Sequence, residues 1–195
     1  EMLVQFAHLG CAYAQTAFGV ERPRVGVLNI GSEPGKGNKL IRRASELLAA
    51  EGSESMDFRG NIEGHDLMLG RVDVVVTDGH TGNVALKTIE GTAAFTMDAV
   101  RDALTSSTMA KAGAVLQRGA LRRLRERFDS ETYGGAALLG LNGTVVIAHG
   151  DSHPEGIAQA CRLAHDLAGG RIGDQIRRRV PHRSAHWLHR RSEER

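Results

Sequence analysis

The sequence has few aromatic residues, a small net charge and no long apolar run, and each absence excludes a class of protein. Phenylalanine, tryptophan and tyrosine make up 4% of its 195 residues, and the formal net charge is +2. A dedicated nucleic-acid binder with stacking aromatics and a strong basic balance is therefore not expected. No apolar stretch approaches the roughly 20 residues that span a bilayer, and no secretion signal is recognised, so we expect a soluble protein or one attached peripherally.

Cysteine is also scarce. Cys11 and Cys161 are too few for a disulfide framework, which favours a reducing, cytoplasmic setting. We expect both to be buried small hydrophobic residues. With 41% hydrophobic residues, the chain is long enough to bury one core.

Strand-like and helix-like runs alternate along the chain. Leu3, Phe6, Gly10, Tyr13 and Ala17 follow helical spacing, so the chain is expected to start inside a helix with these residues on one face. Later apolar runs predict strands over 24–31, 56–62, 71–79 and 144–150, and residues 72–76 have the composition of a buried parallel strand. Helical spacing follows most of these strands, including a long helix from Val84 with one buried stripe and a helix over 152–170. The alternation predicts an α/β fold with a largely parallel sheet.

Two segments depart from this rhythm. Residues 105–130 predict a helical excursion with an apolar side and an arginine-rich side, which is either a solvated face or a surface for an acidic partner or a membrane. Residues 171–195 are rich in arginine and predict a basic, flexible tail. Three histidines of that tail share a helical spacing but have no companion acid or cysteine, so no metal site is expected at His182, His186 and His189.

Polar and glycine-rich segments follow the predicted strands. They read "NIGSEPGKGN" (29–38), "GNIEG" (60–64), "TDGHTGN" (77–83) and "AHGD" (148–151). Ligands of open parallel sheets bind beyond the carboxyl ends of the strands, where glycines let an anion approach the backbone. Lys36 adds a compact positive charge, so a phosphate-bearing ligand is expected. The spacing matches neither the phosphate loop of nucleoside triphosphatases nor the dinucleotide fingerprint, and tight turns would explain each glycine cluster equally well.

Asp78 lies between a predicted strand and a predicted helix. It is either a helix cap or part of a polar site with His80, Asn83 and Lys87. The segment 74–91, "VVVTDGHTGNVALKTIEG", therefore raises the question of what such a junction binds.

Three ordered blocks carry a resemblance. "VGVLNIGSEPGKGNKL", "GNIEGHDLMLGRVDVVVTDGHTGNVALKTIEG" and "YGGAALLGLNGTVVIAHGDS" together resemble the phosphate acyltransferases of bacterial phospholipid synthesis. The resemblance covers residues 1–170 and implies the later half of one acyltransferase domain, hence a truncated form. It also implies a three-layer fold like that of phosphotransacetylases, and transfer of a fatty acyl group from acyl-acyl carrier protein to inorganic phosphate without a cofactor or metal.

The resemblance also implies roles for residues. Lys36 and Asp78 would be catalytic, Lys36 by neutralising phosphate or an oxyanion and Asp78 by orienting a lysine or a proton. Phosphate or the thioester would be held by a further set: Gly31, Gly37, Asn38, Gly79, Gly82, Asn83 and His149. His80 stands where the family usually has phenylalanine, so it is expected to lie against the site without a catalytic role.

Partners follow from the same resemblance. It implies acyl carrier protein and inorganic phosphate as substrates, a homodimer formed through residues 105–130, and peripheral contact with a membrane surface. Two alternatives remain open: an enzyme of the phosphotransacetylase type that uses acyl-coenzyme A, and an inactive fragment that only binds phosphate.

Overall fold

The computed structural model describes residues 1–128, 135–148, 150 and 152–180, apart from the side chains at 125, 127 and 128. Its α-helices in these ranges are α1 (Met2–Phe18), α2 (Lys39–Glu51), α3 (Gly79–Thr105), α4 (Thr108–Leu116), α5 (Arg118–Phe128), α6 (Pro154–Gly169) and α7 (Ile172–Arg179). The strands are β1 (Arg24–Leu28), β2 (Asp57–Ile62), β3 (Val74–Val76), β4 (Ala136–Ala137) and β5 (Val146–Ile147), and a 3-10 helix covers Gly64–Met68. The predicted α/β class is confirmed.

The described residues form two compact units. Unit 1 comprises Glu1–Thr77, Ala136–Ile147 and the described part of Arg162–Arg195. Unit 2 comprises the described parts of Asp78–Gly135 and Ala148–Cys161. The single acyltransferase domain over residues 1–170 stays a prediction.

A small parallel sheet forms the centre of unit 1. Its order is β2-β1-β3, with both outer strands parallel to β1. Four of the five residues of β1 are buried, as expected for a central parallel strand. At its start, Arg24 donates its backbone N–H and its guanidinium to the Asp73 carboxylate at 2.8–2.9 Å, which fixes β1 against the segment that leads into β3.

Helix α1 packs against β3, and α2 packs against β1 and β2. The helix predicted at the start of the chain is confirmed, although Phe6 on it is 39% exposed. Small residues occupy the inner positions instead, since Ala7 and Cys11 are fully buried. At Gly10 the approach is so close that an added Cβ would collide with Val74. The tight packing of helix on sheet therefore selects small side chains over large ones.

Polar contacts also hold α1 in unit 1. His8 Nε2 lies 3.0 Å from Glu51 Oε1 at the end of α2, and Arg179 at the end of α7 donates to Gln15. Helix α7 lies within the stretch predicted as a flexible tail, and its Ile172 is buried. Helix α7 therefore places residues of this stretch in unit 1, while His182, His186 and His189 lie outside the described residues.

The strand prediction over 144–150 is wrong in pairing and in burial. Among the described residues of this run, the strand covers Val146–Ile147, and it pairs antiparallel with Ala136–Ala137 in a separate two-stranded sheet. Ile147 is 56% exposed. The β3 prediction needs a smaller correction: Val74 and Val76 are buried, but Val75 between them is 37% exposed, so this strand is not buried on both faces.

Unit 2 contains α3, α4 and α5, with α3 contacting α4 and α4 contacting α5. The helical excursion over 105–130 is thus confirmed as helical through Phe128. The long helix is also confirmed, but its predicted buried stripe is wrong, because α3 has no buried residue. Positions of that stripe such as Ile89, Met97 and Val100 are half-buried.

Candidate functional site

The loop between β1 and α2 carries the first group of predicted site residues. Glu33, Pro34, Gly35 and Lys36 form a turn closed by a hydrogen bond from the Lys36 N–H to the Glu33 carbonyl, at 3.3 Å. Pro34 at the second position and a φ of +92° at Gly35 in the third are the features of a type II turn. Lys36 therefore leaves the turn in a defined backbone position.

The side chain of Lys36 is exposed. Its ammonium group forms no hydrogen bond or ion pair with any residue that the structure describes. Glu33 supplies a carboxylate to the same loop, and its side chain lies beside Gly31. The loop thus offers one free cation, which suits an anionic ligand.

Gly37 and Asn38 complete this loop. Gly37 has a φ of +83°, and an added Cβ would overlap the Asn29 side chain, so only glycine fits. Asn38 is the N-cap of α2, and its Oδ1 accepts from the Ile41 N–H at 3.0 Å. Its Nδ2 has no partner within the described ranges, so the amide can donate to a ligand while the oxygen caps the helix.

After β2 the chain forms a closed acidic turn. The buried Asp66 accepts from the Glu63 N–H through Oδ2 at 3.0 Å and lies 2.7 Å from Arg71 through Oδ1. Oδ2 is thus hydrogen-bonded within unit 1, whereas Oδ1 is paired with Arg71 but has no hydrogen-bond partner among the described residues. This turn fixes the end of β2 and keeps the Asp66 carboxylate buried.

The second group of predicted residues lies at the start of α3 in unit 2. Asp78 is the N-cap of this helix, and its carboxylate accepts from the Thr81 N–H and hydroxyl at 2.9 Å and 2.6 Å. The Thr81 hydroxyl, and then the Thr81 N–H, hold the pKa of Asp78 below its usual value. Asp78 is therefore a carboxylate at neutral pH, oriented by the helix it caps.

The other predicted residues of this helix start have different surroundings. The Gly82 N–H donates to the Asp78 carbonyl at 2.9 Å and is thus already used within the helix. Gly79, His80 and Asn83 are exposed. Lys87, which the sequence associated with this group, is paired with Glu90 at 2.7 Å.

The structure brings Gly31, Lys36, Gly37 and Asn38 together in one loop of unit 1, and Asp78, Gly79, Gly82 and Asn83 at one helix start of unit 2. His149 lies outside the described residues. No group of three or more histidine, cysteine or acidic side chains that could hold a metal ion occurs in the described part of the chain. Among the same residues, no helix has the length and apolarity needed to cross a membrane.

Two asparagines that hold the Lys36 loop are not among the site residues predicted from the sequence. Asn29 Nδ2 donates to the Lys36 carbonyl at 3.0 Å, and Asn61 Nδ2 donates to the Glu33 carbonyl at 3.0 Å. Each stands near the carboxyl end of a parallel strand, which was the available signal. The exposed position of Cys161 also corrects the expectation that both cysteines are buried, since only Cys11 is.

Comparison with known proteins places this geometry in context. The family described as "Fatty acid synthesis protein" matches residues 1–173. The chain is similar to the phosphate acyltransferase of Thermobifida fusca (strain YX), at 68% identity over 193 residues, which covers 97% of this chain and 54% of that relative. It is also similar to the phosphate acyltransferase of Rhodobacter capsulatus, at 47% identity over 94% of this chain and 46% of the relative. The phosphate acyltransferase of Geobacillus sp. (strain WCH70) is 44% identical over 92% of this chain and 54% of its own length. The chain thus spans about half the length of the curated relatives it matches.

Proposed function

The chain belongs to the fatty acid synthesis protein family, and from this premise we propose that it forms part of a phosphate acyltransferase. The reaction transfers a fatty acyl group from acyl-acyl carrier protein to inorganic phosphate and yields an acyl phosphate for phospholipid synthesis. The observation that carries the proposal is the unpaired Lys36 ammonium group on a loop with a defined turn. The names of the relatives supply the reaction class.

The proposed chemistry needs charge stabilisation more than it needs a strong base. A phosphate oxygen attacks the thioester carbonyl carbon, a carbon–oxygen bond forms, the carbon–sulfur bond breaks, and the thiolate leaves and takes up a proton. Phosphate is already anionic at neutral pH, so the difficult step is to hold two electron-rich groups together. Lys36 offsets phosphate or oxyanion charge, and Asn38 Nδ2 donates to a phosphate or thioester oxygen.

The start of α3 contributes in the same proposal. The Asp78 carboxylate orients a lysine or a phosphate proton. Gly79 and Asn83 bind phosphate or substrate at a helix N-terminus, where anions are favoured. Gly31, Gly37 and Gly82 provide the backbone shape of the two segments. His149 is assigned to substrate binding by resemblance alone.

Partners and fold detail belong to the proposal as well. We assign acyl carrier protein as the acyl donor, a three-layer phosphotransacetylase-like fold, and a cytoplasmic enzyme that pairs as a homodimer and contacts a membrane surface. The exposed apolar side chains of α4 support a contact surface, since Met109, Val115 and Leu116 are 84%, 67% and 88% exposed. A groove in unit 2 is lined by both arginines and apolar side chains, and this combination suits an acidic carrier protein or anionic lipid. Its lining includes Met97, Arg101, Leu104, Arg118, Leu121 and Arg122.

The experiment that tests this proposal measures phosphate-dependent release of carrier-protein thiol from palmitoyl-acyl carrier protein by the 195-residue chain. Palmitoyl-coenzyme A is the matched second substrate. Release from the carrier-protein substrate supports the proposal, and preferential release from coenzyme A selects the phosphotransacetylase-type alternative. No release from protein that stays in solution contradicts activity of this chain and favours a phosphate-binding fragment.

A further inference from the structure

The loop that carries Lys36 is anchored at both ends of its turn by asparagine side chains from outside the turn. Asn61 on β2 donates to the Glu33 carbonyl, where the turn begins. Asn29, directly after β1, donates to the Lys36 carbonyl, where the turn ends. Because β1 and β2 are adjacent parallel strands, both anchors lie at the carboxyl ends of neighbouring strands, Asn61 within β2 and Asn29 just beyond β1.

Both anchoring side chains are themselves held. Asn29 Oδ1 accepts from the Ile30 N–H at 2.8 Å, and the Asn29 backbone N–H donates to the Ile62 carbonyl at 2.8 Å. Asn61 Oδ1 accepts from the Ser45 hydroxyl of α2 at 2.8 Å. In each asparagine, the bond to the amide oxygen thus holds the side chain in place, and the amide nitrogen holds the loop.

The contrast between the backbone and the side chain of Lys36 carries the inference. The backbone of Lys36 is held through its N–H and its carbonyl, whereas its ammonium group has no partner in the described part of the chain. A fixed backbone with a free charged end is the arrangement required to present a cation to a ligand, since less freedom is lost on binding.

We propose that Asn29 is the positioning residue for Lys36, and that Asn61 holds the opposite end of the same turn. This inference rests on the proposed function, because Lys36 is the group that would meet phosphate. Asn29 acts through Lys36, because its amide oxygen accepts from the Ile30 N–H and its amide nitrogen donates to the Lys36 carbonyl. Gly37 is part of the device, since any side chain there would displace Asn29.

Trypsin tests the inference without any assay of activity, because the carbonyl that Asn29 holds belongs to the Lys36–Gly37 bond that trypsin cleaves. Asn29→Asp keeps the acceptor for Ile30 but replaces the donor with an oxygen that repels the Lys36 carbonyl. Native-state digestion of this variant is expected to cut after Lys36 about tenfold faster than the wild type. Cleavage after Arg43 in α2 is the internal reference for general unfolding and is expected to stay unchanged.

Asn142→Asp is the matched control, because it makes the same chemical change at an exposed turn between β4 and β5. It is expected to leave cleavage after Lys36 at the wild-type rate. Equal cleavage after Lys36 in Asn29→Asp and the wild type would overturn the inference. A parallel rise after Lys36 and Arg43 would also overturn it, since Asn29 would then support the whole fold rather than the loop.

A double-mutant cycle then asks whether Asn29 acts through Lys36. Asn29→Asp is expected to raise KM for phosphate in an otherwise wild-type enzyme, but to change kcat/KM by less than about twofold in a Lys36→Gln background. An equal loss in both backgrounds contradicts a positioning role. If the wild type releases no thiol from either acyl donor, the proposed function fails, while the digestion still decides whether Asn29 fixes the Lys36 backbone.

Discussion

Thr81 donates both its backbone N–H and its hydroxyl to the carboxylate of Asp78, at 2.9 Å and 2.6 Å. This pair of bonds explains why an aspartate stands at the start of α3 before any ligand is considered, because an N-cap satisfies donors that the helix leaves unpaired. A catalytic role for Asp78 must therefore be separated from its capping role by experiment.

The first prediction separates those roles by substitution. Asp78→Asn keeps a cap oxygen and removes the charge, so we expect the unfolding temperature to fall by less than for Asp78→Ala and the acyl-transfer rate to fall at least about tenfold. Asp78→Ala removes the cap as well, so we expect the same loss of rate and a drop of roughly 2–4 °C in the unfolding temperature. Circular dichroism on heating and the thiol-release assay measure the two quantities.

Ser107→Ala provides the control, because Ser107 caps α4 through a bond from the Ala110 N–H at 3.1 Å. Ser107→Ala should lower the unfolding temperature by about as much as Asp78→Ala does and leave the acyl-transfer rate unchanged. If Asp78→Asn retains full activity, Asp78 is a cap and nothing more.

The second prediction concerns the stability of the protein at acid pH. The pKa of Asp78 is lowered in the folded protein by its bonds to Thr81, so its contribution to stability is complete above the ordinary aspartate pKa of about 3.9. That contribution is lost as the pH falls below this value and through the lower folded-state pKa, because the unfolded state binds the proton more tightly than the folded state does. We expect Asp78→Asn to lose less stability than the wild type between about pH 5 and pH 2.

Urea titrations at several pH values measure this difference. Asp73 and Asp174 also have pKa values held low by arginine, so both proteins lose their contributions equally. The comparison between the two proteins therefore isolates Asp78. Parallel pH profiles for the wild type and the variant would contradict the assignment.

The third prediction distinguishes the two cysteines. Burial raises the pKa of Cys11 to about 11, whereas Cys161 is exposed. At pH 8 a thiol with that pKa is about one-thousandth thiolate, and burial also blocks the reagent. We expect one thiol to react with Ellman's reagent at once and the second only after denaturation, and Cys161→Ser to abolish the rapid phase. Two rapid equivalents in the native protein would show that the core around Cys11 opens.

The sequence predicts the order of the helices and strands better than it predicts how deeply each one is buried. The apolar runs around β1 and β3 and the helical spacing of α3 depend on local chemistry, and all three elements form. Burial depends on what packs against an element, so the predicted burial fails at Val75, which is exposed, and along α3, where most of the apolar stripe is half-buried. The run over 144–150 fails for the same reason, since an apolar run alone does not choose between a central parallel strand and a short exposed hairpin.

Site prediction has a similar limit. Lys36, Gly37 and Asn38 are visible in sequence because charge, glycine and capping residues have local meaning. Asn61 lies 28 positions after Glu33, and its role appears only when β1 and β2 pair. Contacts of this kind depend on register, which no local pattern contains.

The fourth prediction concerns exposed apolar side chains in unit 2. Phe95 on α3 is 75% exposed, and Leu116 at the end of α4 is 88% exposed. Apolar surface of this kind favours association. We expect the sedimentation coefficient to rise with protein concentration, and Phe95→Asp to reduce that rise, whereas Thr92→Asp on the same helix should not. A monomer at all concentrations would argue against the proposed homodimer.

The fifth prediction concerns Lys36. Removing one preorganised group that stabilises transition-state charge costs about 10²–10³ in kcat in other enzymes, so Lys36→Ala is expected to lose activity on that scale. Lys36→Arg keeps the charge but changes its shape, so we expect partial recovery. Lys39→Ala is the control, because Lys39 is an exposed lysine three positions away in the first turn of α2. The thiol-release assay under saturating phosphate measures all three. If Lys36→Ala and Lys39→Ala are equally active, the loop does not supply the charge, and the start of α3 becomes the segment to test for phosphate binding.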